Sequence, residues 1–202
     1  MTRHATRPEA AVGFRVKSGW ATAVLLLGPT RAPRVADRRV IALSDPAVPQ
    51  SRQPYHAVMA ASAARGAKLE TRLRRVVATV TQHSVRALLR EYRDAGHRLR
   101  GAALVVGSVI DPARIGNDHI RAHALEGRLF RTALEQALRS LGLPSITIVE
   151  REAYTTAAAR LARPAARLRR AVAELGAALD EPWRAEEKTA TVAAWMALRR
   201  AR

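Results

Sequence analysis

Two histidines and a glutamate, His119, His123 and Glu126, follow an i, i+4, i+7 spacing that places all three on one face of a helix. Two imidazoles one turn apart suit zinc or another transition ion, with a carboxylate as third ligand. Asp111 and Asp118 lie just upstream, so the candidate metal set is Asp111, Asp118, His119, His123 and Glu126. The plainer reading makes them polar residues near a helix start with ordinary hydrogen bonds. A His-x-x-x-His pair without the glutamate of a metalloprotease motif is common by chance.

Other chemistry is thinner. Lys17-Ser18-Gly19 could bring a cation to a strand end, or simply form an exposed strand face. No Gly-x-Ser-x-Gly elbow and no glycine-rich phosphate loop occurs, which argues against hydrolase-type nucleophilic catalysis and nucleotide cradling. There are no cysteines, so disulfides and thiolate metal sites are excluded. Ser51 to His56 groups polar and aromatic side chains in a loop, as binding sites often do; a plain surface loop anchored by Tyr55 fits as well. Arg160, Arg163, Arg167 and Arg170 recur at helical spacing, either as a phosphate-binding stripe or as a solvated face.

The elements that must position these residues centre on 99–150. Ala102 to Val109 is a continuously apolar strand, as expected of one buried on both faces. Pro112 and Gly116 break the chain, and Asn117 or Asp118 caps the next helix. That helix is expected to bury Ile120, Leu125, Leu129, Leu134, Leu138 and Leu141, and to end at Gly142. Ile146 to Val149 is a second strand, so the three form a parallel strand–helix–strand unit. Ligands of such sheets bind beyond the carboxyl ends of the strands, here Ser108 to Asp118.

Upstream, residues 1–11 read as a disordered N-terminus, and 12–202 as a single α/β domain. Phe14 to Leu27 reads as one long strand, turned at Gly28-Pro29-Thr30 into a return strand over Arg34 to Leu43. Tyr55 to Ala64 is a short helix or a third strand. Lys68 to Ala95 is the longest helix, and three more follow the central unit: Ala153 to Ala162, Pro164 to about Ala178, and Ala185 to about Arg199.

This order of elements resembles the ribonuclease H-like fold, in particular its Holliday-junction-resolvase branch: an α/β domain whose mixed sheet joins an N-terminal antiparallel hairpin to parallel strands, flanked by helices. Residues 102–150 are similar in layout to that branch's fourth strand, second helix and fifth strand. EEKTATVAAWMAL is similar to its last helix, where acids open a run of small apolar residues. The resemblance implies three or four carboxylates holding two metal ions, magnesium or manganese, that activate water against a phosphodiester. Carried over, it points to Asp111 after the fourth strand and to Glu186 and Glu187 at the start of the last helix; a nuclease on this chain is expected to use Asp111, Glu126 and Glu187 as catalytic residues. The sequence departs from it on the first strand, where an Asp is expected and Lys17 and Ser18 stand, with no acid between Gly13 and Asp37. A cation at Lys17 repels magnesium and suits phosphate.

The net charge is +18, from 35 Lys+Arg against 17 Asp+Glu, and all the lysines are Lys17, Lys68 and Lys188. Codon bias can replace Lys with Arg but does not explain the shortage of acids. The positive field favours polyanions, and arginine forks onto phosphate. The expected partner is therefore nucleic acid or another polyanion. The most apolar stretch, Ala21 to Leu27, is too short to cross a bilayer, and the absence of cysteine fits the cytoplasm. The leading expectation is a nucleic-acid-binding ribonuclease H-like protein with weak or absent catalysis, bound through Lys17, Arg160, Arg163, Arg167 and Arg170. The alternatives are a divalent-metal-dependent nuclease and a non-enzymatic protein-interaction module.

Overall fold

The computed structural model describes residues 8–177, 179 and 182–199. In chain order they form β1 (Glu9–Lys17), β2 (Trp20–Leu27), β3 (Arg34–Ala42), α1 (Pro54–Met59), α2 (Ala63–Asp94), β4 (Arg98–Val106), α3 (Asp118–Ser140), β5 (Ser145–Val149), α4 (Ala153–Leu161), α5 (Ala165–Ala177) and α6 (Ala185–Leu198). One five-stranded sheet has the order β3-β2-β1-β4-β5. The β1–β2 and β2–β3 pairs are antiparallel. The β1–β4 and β4–β5 pairs are parallel, so the expected strand–helix–strand unit sits at one side of the sheet.

The single strand expected over Phe14 to Leu27 is two strands. Lys17 pairs with Trp20 across a two-residue turn, Ser18-Gly19, and Gly19 takes φ +85°, where a side chain is strained. Apolar alternation continues through both arms, which is why the sequence reads as unbroken. The split supplies the third antiparallel strand, and the segment after Pro54 is free to be helix α1. β1 also starts earlier than expected. Glu9, Ala10 and Ala11 are strand, with both alanines fully buried, so the disordered N-terminus expected over residues 1–11 does not extend that far. Residues 1–7 lie outside the described residues.

Alternation divides the core in two. Val12, Phe14, Leu25 and Leu104 face α2 and α3, packing with Val77, Leu89, Phe130 and Leu134. Val24, Leu26 and Val105 face α4, α5 and α6, packing with Leu168, Val172, Trp195 and Met196. Each fully buried side chain of this size contributes roughly 1.5–3 kcal/mol of transfer free energy. Because aromatics are few, α6 reaches the sheet by small residues: a Cβ on Gly13 of β1 would lie 1.9 Å from the carbonyl oxygen of Ala190.

Asn117 caps α3, its side chain accepting from the Ile120 N–H at 3.0 Å, and Gly142 at φ +71° follows its end. The buried stripe of α3 differs from the expected one. Ile120 is 56% exposed, in a first turn where Asp118 and His119 are exposed as well. Ala122, Glu126, Phe130, Ala133 and Ala137 join Leu134 and Leu138 inside, whereas Leu125, Leu129 and Leu141 are half-buried.

Candidate functional site

The carboxyl ends of parallel β1 and β4 open into a cleft of about 210 Å³, the position where this sheet topology exposes strand-end backbone to a ligand. Lys17 and Ser18 line it from the β1 turn, Gly107 and Ser108 from the end of β4, and His123 and Gly127 from α3. Beneath it Arg15 is buried. Its Nε donates to Glu150 Oε1 at 3.0 Å, its Nη2 to Glu150 Oε2 at 2.5 Å, and its Nη1 to the Val16 carbonyl at 2.7 Å. This two-pronged pair is the strong geometry for a guanidinium on a carboxylate. Lys17 Nζ lies 3.7 Å from Glu186 Oε1 at the start of α6. Glu150 and Glu186 are thus each engaged by a cation of β1.

A second cluster forms where α1 packs on α3. Pro54 at the first position of α1 starts a helix too short to stand alone, and contact with α2 and α3 holds it. It brings His56 to the histidines of α3: ring centroids lie 4.8 Å from His119 and 4.4 Å from His123, while His119 and His123 are 4.7 Å apart. Glu126 lies fully buried beneath them. His56 Nδ1 donates to Glu126 Oε1 at 2.7 Å, and the His56 backbone N–H reaches the same oxygen at 3.3 Å.

The expected metal set is therefore regrouped. His119 and His123 come together with His56, and among the described residues these three are the group arranged to share one ion. Asp111 instead caps a short 3-10 turn, accepting from the Ala113 N–H at 3.1 Å. Asp118 pairs with Arg121 at 2.8 Å, and Glu126 supports His56 from behind. Nor do Asp111, Glu126 and Glu187 form one carboxylate cluster. Glu187 accepts from the Arg184 N–H at 3.1 Å to cap α6, which packs on the opposite face of the sheet from α3. His56 escaped sequence reasoning as a ligand because its partners lie on a distant helix, Glu126 being 70 residues away.

The arginine stripe divides likewise. Arg160 donates to the carbonyls of Met196 and Arg199 and so ties down the end of α6. Arg163 donates to the Arg31 carbonyl and covers the Trp195 ring at 5.3 Å. Arg167 and Arg170 are exposed. A larger groove of about 1070 Å³ runs between α1, α2 and α3. Arg74 and Arg121 line it, paired to Glu70 and Asp118, together with Arg75 and Arg128, for which no carboxylate partner exists among the described residues. Tyr55 borders it, its hydroxyl pKa raised first by burial and then by the charge of Glu70.

No family model matches the chain, and no curated protein matches it. Among solved structures, RuvC of T. thermophilus in complex with a Holliday junction substrate superposes with a TM-score of 0.52 at 12% identity, covering 93% of this chain and 91% of that one. The fold is ribonuclease H-like. A second Thermus thermophilus RuvC structure matches at a TM-score of 0.49 and 12% identity over 93% of this chain and 92% of that one. Gly107 and Ser108 line the cleft at the end of β4, where the family resemblance expects an acid. No helix among the described residues is long and apolar enough to cross a membrane.

Proposed function

We propose that this ribonuclease H-like protein binds nucleic acid and that its strand-end cleft takes phosphate rather than a pair of divalent metal ions. The observation that carries the reading is the donor set at that edge: the Arg15 guanidinium and Lys17 ammonium stand there, and Glu150 and Glu186 pair with them. Two hard cations need several free carboxylate oxygens, and placing them beside a buried guanidinium is electrostatically costly. The residues present do not fit that metal pair, so no hydrolytic step through it is derived.

What remains suits anion binding. Lys17 and the hydroxyls of Ser18 and Ser108 line the cleft, and Arg75 and Arg128 line the groove on the other side of α3. Exposed Arg72, Arg86 and Arg90 extend the positive surface along α2. With a net charge of +18, the field draws a polyanion from solution. The similar RuvC structure is of a complex with a Holliday junction, which supports branched DNA as the first ligand to test.

The test is fluorescence anisotropy with a four-way DNA junction, duplex DNA, single-stranded DNA and duplex RNA over a range of salt. The expected result is tight binding at low salt with log affinity falling linearly in log salt, at a slope set by the number of phosphates contacted. Absence of binding, or affinity indifferent to salt, overturns the reading. The same samples, incubated with magnesium or manganese, should remain uncut. Metal-dependent cleavage lost in Glu187→Gln would instead establish a divalent-metal-dependent nuclease.

A further inference from the structure

The strand-end reading makes no use of the histidine cluster on α1 and α3. We propose that His56, His119 and His123 form a binding site for a single transition-metal ion of the zinc type, with Glu126 as its positioning residue.

Three features converge. The first is tautomer control. His56 gives its Nδ1 hydrogen to Glu126, which leaves the lone pair on Nε2, and that Nε2 is buried without a hydrogen-bond partner. A carboxylate behind the remote nitrogen of an imidazole is the arrangement that fixes the ring and raises its basicity toward a metal. The second is spacing. One ring nitrogen from each histidine lies within 4.8 Å of the others, and His119 Nε2 is already 3.2 Å from His123 Nε2. Two nitrogens bound to one tetrahedral zinc at about 2.0–2.1 Å stand about 3.3 Å apart. Small rotations of the exposed His119 and His123 rings close the remaining gap.

The third feature is charge. Glu126 is fully buried, and its Oε2 has no hydrogen-bond partner, with His123 Nδ1 at 3.9 Å. A buried carboxylate that lacks full compensation is costly, and a dication beyond His56 lowers that cost. Three neutral imidazoles select zinc, nickel or copper over magnesium and calcium, which prefer oxygen. His119 and His123 face solvent, so the fourth position is left to water or to an anionic oxygen. His123 also lines the strand-end cleft, placing the ion at the rim of the phosphate site. The proposal itself rests on the cluster alone and stands whether or not nucleic acid binds.

Isothermal titration of untagged, chelator-stripped protein with zinc chloride should give one equivalent bound with micromolar or tighter affinity. Cobalt(II) should give visible d–d bands of a nitrogen-ligated ion of low coordination number. His119→Ala and His123→Ala alter exposed side chains and spare the core; each should weaken binding more than tenfold. Glu126→Gln should weaken it by about 10–100-fold and shift the cobalt spectrum, which a purely structural role would not do. His83→Ala, an exposed histidine elsewhere on α2, should change nothing. No saturable binding by the wild type, or binding that survives both His119→Ala and His123→Ala, overturns the proposal.

Discussion

Arg15 and Glu150 join the first strand of the sheet to the residue that follows the last, passing over the end of β4, with Nη2 and Oε2 2.5 Å apart. The pair is asymmetric: the Arg15 side chain is 5% exposed and that of Glu150 46%. Removing the acid strands a cation in the interior. Glu150→Ala should therefore cost about 2–3 kcal/mol, less than a fully buried pair because the acid is half in water. Arg15→Met keeps the volume and removes the charge, so it should cost distinctly less. Urea denaturation midpoints of the two variants decide it, and equal losses would refute the asymmetry.

Gly13 and Gly127 should respond to alanine with opposite signs. At Gly13 the added carbon meets the Ala190 oxygen at 1.9 Å and the Ala194 nitrogen at 2.4 Å, so α6 must move off the sheet; a loss of about 3 kcal/mol or more is expected. At Gly127 nothing lies within 4 Å, and a mid-helix glycine costs roughly 1 kcal/mol against alanine, so Gly127→Ala should raise the melting temperature. Thermal unfolding followed by circular dichroism reads both.

Tyr92 should make the protein sensitive to alkali. Its hydroxyl is driven well above the usual tyrosine range, first by burial and next by its hydrogen bond to Asp37 at 2.6 Å. The folded state holds this proton to higher pH than the unfolded chain does. Above pH about 10 the native state therefore binds more protons, and stability falls as pH rises. Burial raises the hydroxyls of Tyr55 and Tyr154 too, with the same sign. Tyr92→Phe should flatten the alkaline arm of the stability profile in part. An unchanged arm would show that the folded state does not hold the Tyr92 proton above the usual tyrosine range.

If phosphates sit at the strand ends, Lys17→Ala should weaken nucleic-acid binding across all sequences and lower the salt slope by about 1. Arg75→Ala and Arg128→Ala should do the same from the groove. A Lys17→Ala protein with an unaltered slope would remove the cleft from the binding surface while leaving the groove in play.

Much of the frame was legible because it is written in local patterns. The apolar run at Ala102 to Val106, the cap at Asn117, the glycine at 142 and the β-branched run at 146–149 each act over a few residues, and together they specify the parallel pair. The hairpin at Ser18-Gly19 was not, because strand alternation passes through a two-residue turn without a break in hydrophobicity. Of the site, the His119–His123 spacing was visible on one helix. Its third member was not, since His56 reaches it only through tertiary packing. Glu126 looked like a ligand because sequence cannot tell the front of an imidazole from its back. Arg160 and Arg163 looked like a phosphate stripe because helical spacing does not reveal which arginines are spent on the backbone carbonyls of neighbouring elements.

The contact between Gly13 and α6 also bears on how the chain is made. The strand at the centre of the sheet has one apolar face that only α6 covers so closely, and that helix is synthesised long after the strand has left the ribosome. Until then the nascent sheet carries a bare greasy side, so its fate during translation depends on whatever shields that side, and a stall before residue 185 should leave a species prone to self-association.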